Sequence, residues 1–202
     1  MDEANALLEA GRLEEAIRAY AELLQGDAAT AEAMLGFGLA QLRLAELIAA
    51  QSEFGWVQAS QRYKAAVSAF SEVINIAPQD GRVFYNRGYT HHRLGSHRRA
   101  IADYSRAEAL GFVPEELLLN RADSFDALGE LEAAIADLDR VLAAEEVQEE
   151  MRHVAHHLRA KMYERMGRKD LAAPDKAAVL KRAVERVASV IDEIADDEDE
   201  PD

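Results

Sequence analysis

Apolar positions recur along this chain in blocks of helical spacing. In EAGRLEEAIRAYAELL (9–24), HRLGSHRRAIADYSRAEAL (92–110) and DALGELEAAIADLDRVLAA (126–144), each block has a glycine near its start. An alanine follows five residues later with an apolar residue beside it, and a large apolar residue comes four after the alanine. The glycines are Gly11, Gly95 and Gly129; the pairs are Ala16-Ile17, Ala100-Ile101 and Ala134-Ile135; the large residues are Tyr20, Tyr104 and Leu138. Apolar residues three and four apart predict amphipathic helices, and a glycine just ahead of each predicts a tight turn at positive φ. QRYKAAVSAFSEVINIAP (61–78) keeps Ala66-Val67 and Phe70, has Gln61 for the glycine, and stops at Pro78. ERMGRKDLAAPDKAAVL (164–180) follows more loosely through Gly167 and Ala172. The alanines stand at 16, 66, 100, 134 and 172, so two of the four steps are 34 residues. No stretch alternates apolar and polar residues over a strand's length, and the expected class is all-α.

A small residue also recurs ahead of each turn, at Ala4, Gly38, Gly88, Ala122 and Ala160. The whole register resembles the tetratricopeptide repeat (TPR) family over residues 1 to about 180. That resemblance implies an all-α, right-handed solenoid of about four to five helical hairpins, each a helix A and a helix B, with stacked neighbours supplying the core. It also implies a non-enzymatic adaptor that holds a peptide or protein segment in a concave groove lined by the A helices. By position the groove residues are Arg82, Tyr85, Asn86, Tyr89, His92 and Arg93 in the third repeat. Asn120 and Asp123 follow in the fourth, and Lys161 in the fifth. Asn86 and Asn120 lie 34 apart in matching Asn-Arg dipeptides, either as a ladder for an extended peptide backbone or as residues merely typical of the site. Arg82, Tyr85, Tyr89 and Arg93 suit an acidic side chain or a terminal carboxylate, or else pair with the acidic fourth repeat. Leu35, Leu39 and Glu116 stand where some TPR co-chaperones hold a carboxylate clamp, so that activity is not expected.

Two departures from the register carry information. The step of 50 residues predicts an elongated second repeat over about 30–78: a long helix over 30–51, a turn at SEFGW (52–56) and a long helix beyond it. This hairpin would overshoot its neighbours by roughly 12 Å and expose Phe54 and Trp56, as a staple across the hairpin or as a self-association or partner contact. Near the C-terminus, Pro174 suggests that the last helix B starts near Ala173. Beyond it the stripe Val179, Leu180, Val184, Val187, Val190, Ile191 and Ile194 predicts a helix over 181–195, either capping the array or docked on another chain. The acidic tail 196–202 is expected to be disordered.

Charge narrows the function classes. The chain has 202 residues and a net charge of −15, which disfavours nucleic acid and anionic membranes. Basic and acidic blocks alternate: six cations face two carboxylates in 82–113, and two face twelve in 114–150. There is no cysteine, which removes disulfides and thiolate chemistry. No run of 18 uncharged apolar residues occurs, so no membrane insertion is expected; the expected location is the cytoplasm. Three histidines in YTHHRLGSHRR invite a metal reading, but His91 and His97 fall on aromatic-type packing positions and only His92 on the groove face. HVAHH (153–157) has metal-like spacing, yet His156 falls on a core position and no carboxylate stands at a convincing ligand spacing. No metal, cofactor or catalytic motif is expected. The second functional reading is a homo-oligomeric assembly module built from the elongated hairpin and the C-terminal helix.

Overall fold

The computed structural model of the chain describes residues 1–26 and 30–198, with side chains through Ser189. Among these residues there are ten helices and no strand: α1 (Asp2–Glu9), α2 (Leu13–Gln25), α3 (Ala31–Ala50), α4 (Gly55–Ile76), α5 (Gly81–Arg93), α6 (His97–Ala109), α7 (Glu115–Leu128), α8 (Leu131–Ala143), α9 (Glu149–Arg165) and α10 (Lys169–Glu198). They form two compact units. Met1–Val113 holds the first three hairpins, and the chain from Pro114 holds the last two. In the first unit each helix packs on the next, and α1–α3 and α3–α5 also touch, which makes α1, α3 and α5 one layer. In the second unit α7, α8, α9 and α10 pack in sequence, with a further contact between α7 and α9.

Each short hairpin turns on the expected glycine. At Gly95 (φ +69°) and Gly129 (φ +78°) the chain adopts the left-handed conformation open to a residue without Cβ. The next N–H then reaches back to close the helix: Ser96 to the His91 carbonyl (2.8 Å) and Glu130 to that of Phe125 (2.9 Å). Side chains cap the starts of α3 and α5, with Thr30 Oγ1 accepting from the Ala33 N–H (3.1 Å) and Asp80 from that of Arg82 (3.0 Å).

Small residues set how closely the two helices of a hairpin approach. A Cβ at Gly88 would lie 3.1 Å from Tyr104, and one at Gly38 would lie 2.7 Å from Phe70. The alanines at 16, 66, 100, 134 and 172 are buried, as are Tyr20, Phe70, Tyr104 and Leu138. In the fifth hairpin the large position holds Lys176, which is exposed and paired with Glu164 at 2.6 Å.

One recurring interaction is absent from the sequence reading. Immediately before the small residue of helix A, an arginine forks onto an aspartate of helix B. Arg87 meets Asp103 at 2.8 and 2.7 Å, Arg121 meets Asp137 at 2.7 and 2.7 Å, and Arg159 meets Asp175 at 2.9 and 2.7 Å. Each pair is 16 residues apart. The bidentate geometry fixes the roll of one helix against the other as well as their distance. In the second hairpin the same two positions are Phe37 and Ala69, which line one apolar cleft.

Three comparisons with the sequence reading follow. The elongated hairpin is present as 20-residue α3 and 22-residue α4. α3 is long and apolar enough to cross a membrane by length and composition, but Ala33, Ala40, Leu42, Leu44 and Ala45 are buried in the fold and Arg43 and Glu46 interrupt its surface. Pro174 lies inside α10, which starts at Lys169 and not near Ala173; the Arg168 carbonyl already receives the Leu171 and Ala172 N–H groups, so the first turn closes ahead of the proline. The backbone of α10 stays helical to Glu198, into the segment expected to be disordered, while residues 199–202 lie outside the described residues.

Two expected outcomes test this account. Asp137→Ala strands a buried guanidinium and should cost about 3–5 kcal/mol in urea unfolding. Adding Arg121→Phe, which copies the Phe37–Ala69 arrangement, should recover most of that loss; an unrecovered double variant would show that the pair is not exchangeable for apolar packing. His91 is buried with Nδ1 unpartnered. Burial lowers its pKa; Asp103 opposes this, and Arg87 and Arg99 reinforce it. Because the unfolded chain then takes up the proton more readily, stability is full above about pH 6.5 and falls as the pH drops below it. His91→Phe should therefore flatten the loss of thermal stability between about pH 7.5 and 5; an unchanged slope would exclude His91 as its source.

Candidate functional site

α5 carries the predicted groove residues of the first unit on one face, because 82, 85/86, 89 and 92/93 recur at helical spacing. Arg82 is exposed and forks onto Asp80 (2.7 and 3.0 Å) at the helix start. Tyr85 is half-buried, its ring 6.0 Å from Tyr104 and 5.7 Å from Phe112, so it serves the core on one side and the surface on the other. Asn86 is half-buried, and its carbonyl accepts from the Thr90 hydroxyl (2.7 Å). His92 stacks on Tyr89 (6.5 Å) and meets His97 edge-on (5.7 Å).

Tyr89 and Arg93 form the chemical centre of this face. The Tyr89 hydroxyl donates to Glu46, and Arg93 Nη1 lies 3.1 Å from both Glu46 Oε1 and the Tyr89 oxygen. The guanidinium also sits over the Tyr63 and Tyr89 rings, at 5.6 and 5.9 Å. Burial raises the Tyr89 pKa, and the Glu46 hydrogen bond adds to it against the opposing effect of Arg93. A carboxylate is thus already seated here, supplied by α3. Pairing with the acidic fourth repeat was one of the two sequence readings for this face. Within the first unit Arg93 pairs with Glu46 and Arg82 with Asp80. Sequence reasoning missed Glu46 because it lies on the extension of α3, beyond the length of an ordinary helix A; following the same face from Leu39 through Leu42 and Arg43 leads to it.

In the second unit Asn120 is half-buried, and its carbonyl accepts from Ser124 (3.0 Å). Asp123 is also half-buried on α7. Lys161 is exposed, with Nζ 3.3 Å from Asp126, which Arg165 also pairs with. The expected site residues therefore divide between two units, six on α5 and three on α7 and α9.

The hairpin tip is built on a close backbone approach. A Cβ at Gly55 would lie 2.3 Å from the Ile48 carbonyl, so the glycine itself closes the turn. Phe54 (73% exposed) and Trp56 (65%) stand out from the hairpin and do not staple it, and Val57, next in the chain, is exposed as well. The histidines of HVAHH are differently used from the metal reading. His156 Nδ1 lies 2.7 Å from Asp175 Oδ1, a carboxylate 19 residues on that the sequence reading did not find. Burial opposes the ionisation of Asp175, but hydrogen bonds from Arg159 and His156 outweigh it and hold the carboxyl below the usual range. No three metal-ligating side chains converge among the described residues.

Comparison with known proteins agrees with this architecture. The solved structure titled "Crystal structure of MamA" superposes with a TM-score of 0.75 over 93% of this chain and 98% of its own, at 19% identity. "MamA 41-end from Desulfovibrio magneticus RS-1" gives 0.73 over 92% and 93%, also at 19% identity. At such identities the likeness concerns the fold. No curated protein matches the chain. A tetratricopeptide repeat family model matches residues 1–50 and 57–114, more than half of the chain; the hairpin tip between them and residues 115–202 lie outside the match. The chain belongs to the tetratricopeptide repeat family.

Proposed function

We propose that this chain is a non-catalytic adaptor that holds an acidic segment of another protein along the exposed face of α5. The observation that carries this reading is the Glu46 carboxylate seated between the Tyr89 hydroxyl and Arg93. It displays the chemistry the face accepts: one carboxylate, two donors and aromatic walls. A partner's acidic side chain or terminal carboxylate exchanges with Glu46, while Tyr85, Asn86 and His92 contact the chain on either side. The corresponding face of the second unit offers Asn120, Asp123 and Lys161. The reading places the protein in the cytoplasm, requires no metal or cofactor, and excludes nucleic acid, which a net charge of −15 repels.

A second reading, self-assembly, is favoured by a separate observation. Phe54 and Trp56 at the hairpin tip, and Leu180, Val184 and Val187 on α10, are all more than half exposed. Apolar side chains so grouped mark contact surfaces.

Screening a library of acidic and C-terminally free peptides against the whole chain tests the adaptor reading. Glu46→Gln removes an exposed competing ion pair worth up to about 1 kcal/mol, so ligands should bind up to roughly fivefold tighter. Asn86→Ala and Arg93→Gln should abolish binding while the chain still unfolds cooperatively, the lost Glu46 pair costing at most about 1 kcal/mol. Full binding by both variants would overturn the assignment of this face.

A further inference from the structure

α10 has two faces with different repeats. Ala172 and Asp175 are buried, and Ala178, Val179 and Arg182 half-buried, on the side that packs on α9. The opposite side carries Ala173, Ala177, Leu180, Val184 and Val187, every one of them exposed; Leu180 is 66% exposed and both valines 60%. Their steps are four, three, four and three, and the sequence continues them with Ile191 and Ile194. A strict alternation of fours and threes has a period of 3.5, the signature of a two-helix seam, and differs from the 3.6 of a helix lying on a globular core. The expected capping role is accordingly not filled by this stripe, which faces away from the last hairpin.

The geometry of α9 leaves that seam uncovered. Arg182 bonds Glu150 (2.6 Å) and approaches Glu149 (3.5 Å), the first two residues of α9. Beyond that level α10 outruns α9 by roughly 24 Å at helical rise. α9 is the one helix it packs on among the described residues.

We infer that the outer face of α10 pairs with the same face of a second copy of this chain, the two helices antiparallel. This rests on the self-assembly reading above and assigns its surface and orientation. Charge decides both the occupant and the direction. Between 176 and 189 the helix carries Lys176, Lys181, Arg182 and Arg186 against Glu185 alone. From 192 to 198 it carries Asp192, Glu193, Asp196, Asp197 and Glu198 and no cation. A parallel pair would set each block against its like. An antiparallel pair avoids this and brings Lys176 of each copy level with the acidic block of the other. With Val184 level with Val187 of the second copy, position 180 lies level with 191 and position 177 with 194, so every seam position from 177 to 194 meets another. Alanines at 183 and 188 flank the seam and permit close approach.

The test uses the whole chain, which has no cysteine of its own. Sedimentation equilibrium should give twice the chain mass of 22.3 kDa, and the double variant Val184→Glu/Val187→Glu should fall to the single mass with unchanged cooperative unfolding of the hairpins. A mixture of Ala177→Cys chains and Ile194→Cys chains should oxidise to the mixed dimer in preference to either homodimer. Homodimer cross-links in preference would overturn the antiparallel assignment. A dimer that survives Val184→Glu/Val187→Glu but is lost in Phe54→Ser/Trp56→Ser would overturn the α10 surface while leaving self-assembly standing. A wild-type chain monomeric at every concentration would overturn both.

Discussion

The crossing of helix A and helix B at a small residue is the constraint on which the rest of this structure depends. With no side chain, or a methyl alone, at positions 4, 38, 88, 122 and 160, the partner helix can bring its own large residue to the crossing point. Gly88 against Tyr104 and Gly38 against Phe70 show how little room remains. A close crossing has a second consequence, because the residue just before the small one is also carried against helix B. In the second to fifth hairpins what occupies that place is either apolar or fully paired, whereas Glu3 of the first stays exposed.

The third, fourth and fifth hairpins solve this with an arginine–aspartate fork, and the second with Phe37 and Ala69. A buried ion pair is weak evidence for net stability, since desolvation offsets much of the attraction. Its more specific effect is directional. An apolar contact tolerates some rolling of one helix on the other, whereas two parallel N–H···O bonds do not. In the third hairpin that rigidity positions α5, and with it the face bearing Tyr85, Asn86, Tyr89, His92 and Arg93.

How much of this was legible in the sequence depends on whether the signal was local. The glycine turns, the buried alanines and the aromatics fall on fixed offsets, so the fold was readable from residues 9–24, 92–110 and 126–144 alone. The forks were equally periodic, at 87 and 103, 121 and 137, 159 and 175, and could have been found by asking which charged pairs keep one offset. Glu46 gave no such sign. It lies on an insertion, outside the repeating register, and meets Tyr89 and Arg93 only because α3 is long. The exposed tip residues were read correctly as exposed, but they stand out from the hairpin and do not staple it.

α10 shows the same limit from another side. Read as one broad stripe, Val179 and Leu180 belong together, and the helix looks like a cap. The structure separates them: Val179 lies on the side of Asp175, where Arg159 and His156 hold the helix to α9, and Leu180 lies on the other. A helix anchored so firmly along one face cannot roll to bury the opposite one. The fork at Asp175 therefore does more than close the last hairpin. By fixing which face of α10 turns inward, it compels the 3.5-residue seam to face outward, where a partner can cover it and no part of its own hairpin does.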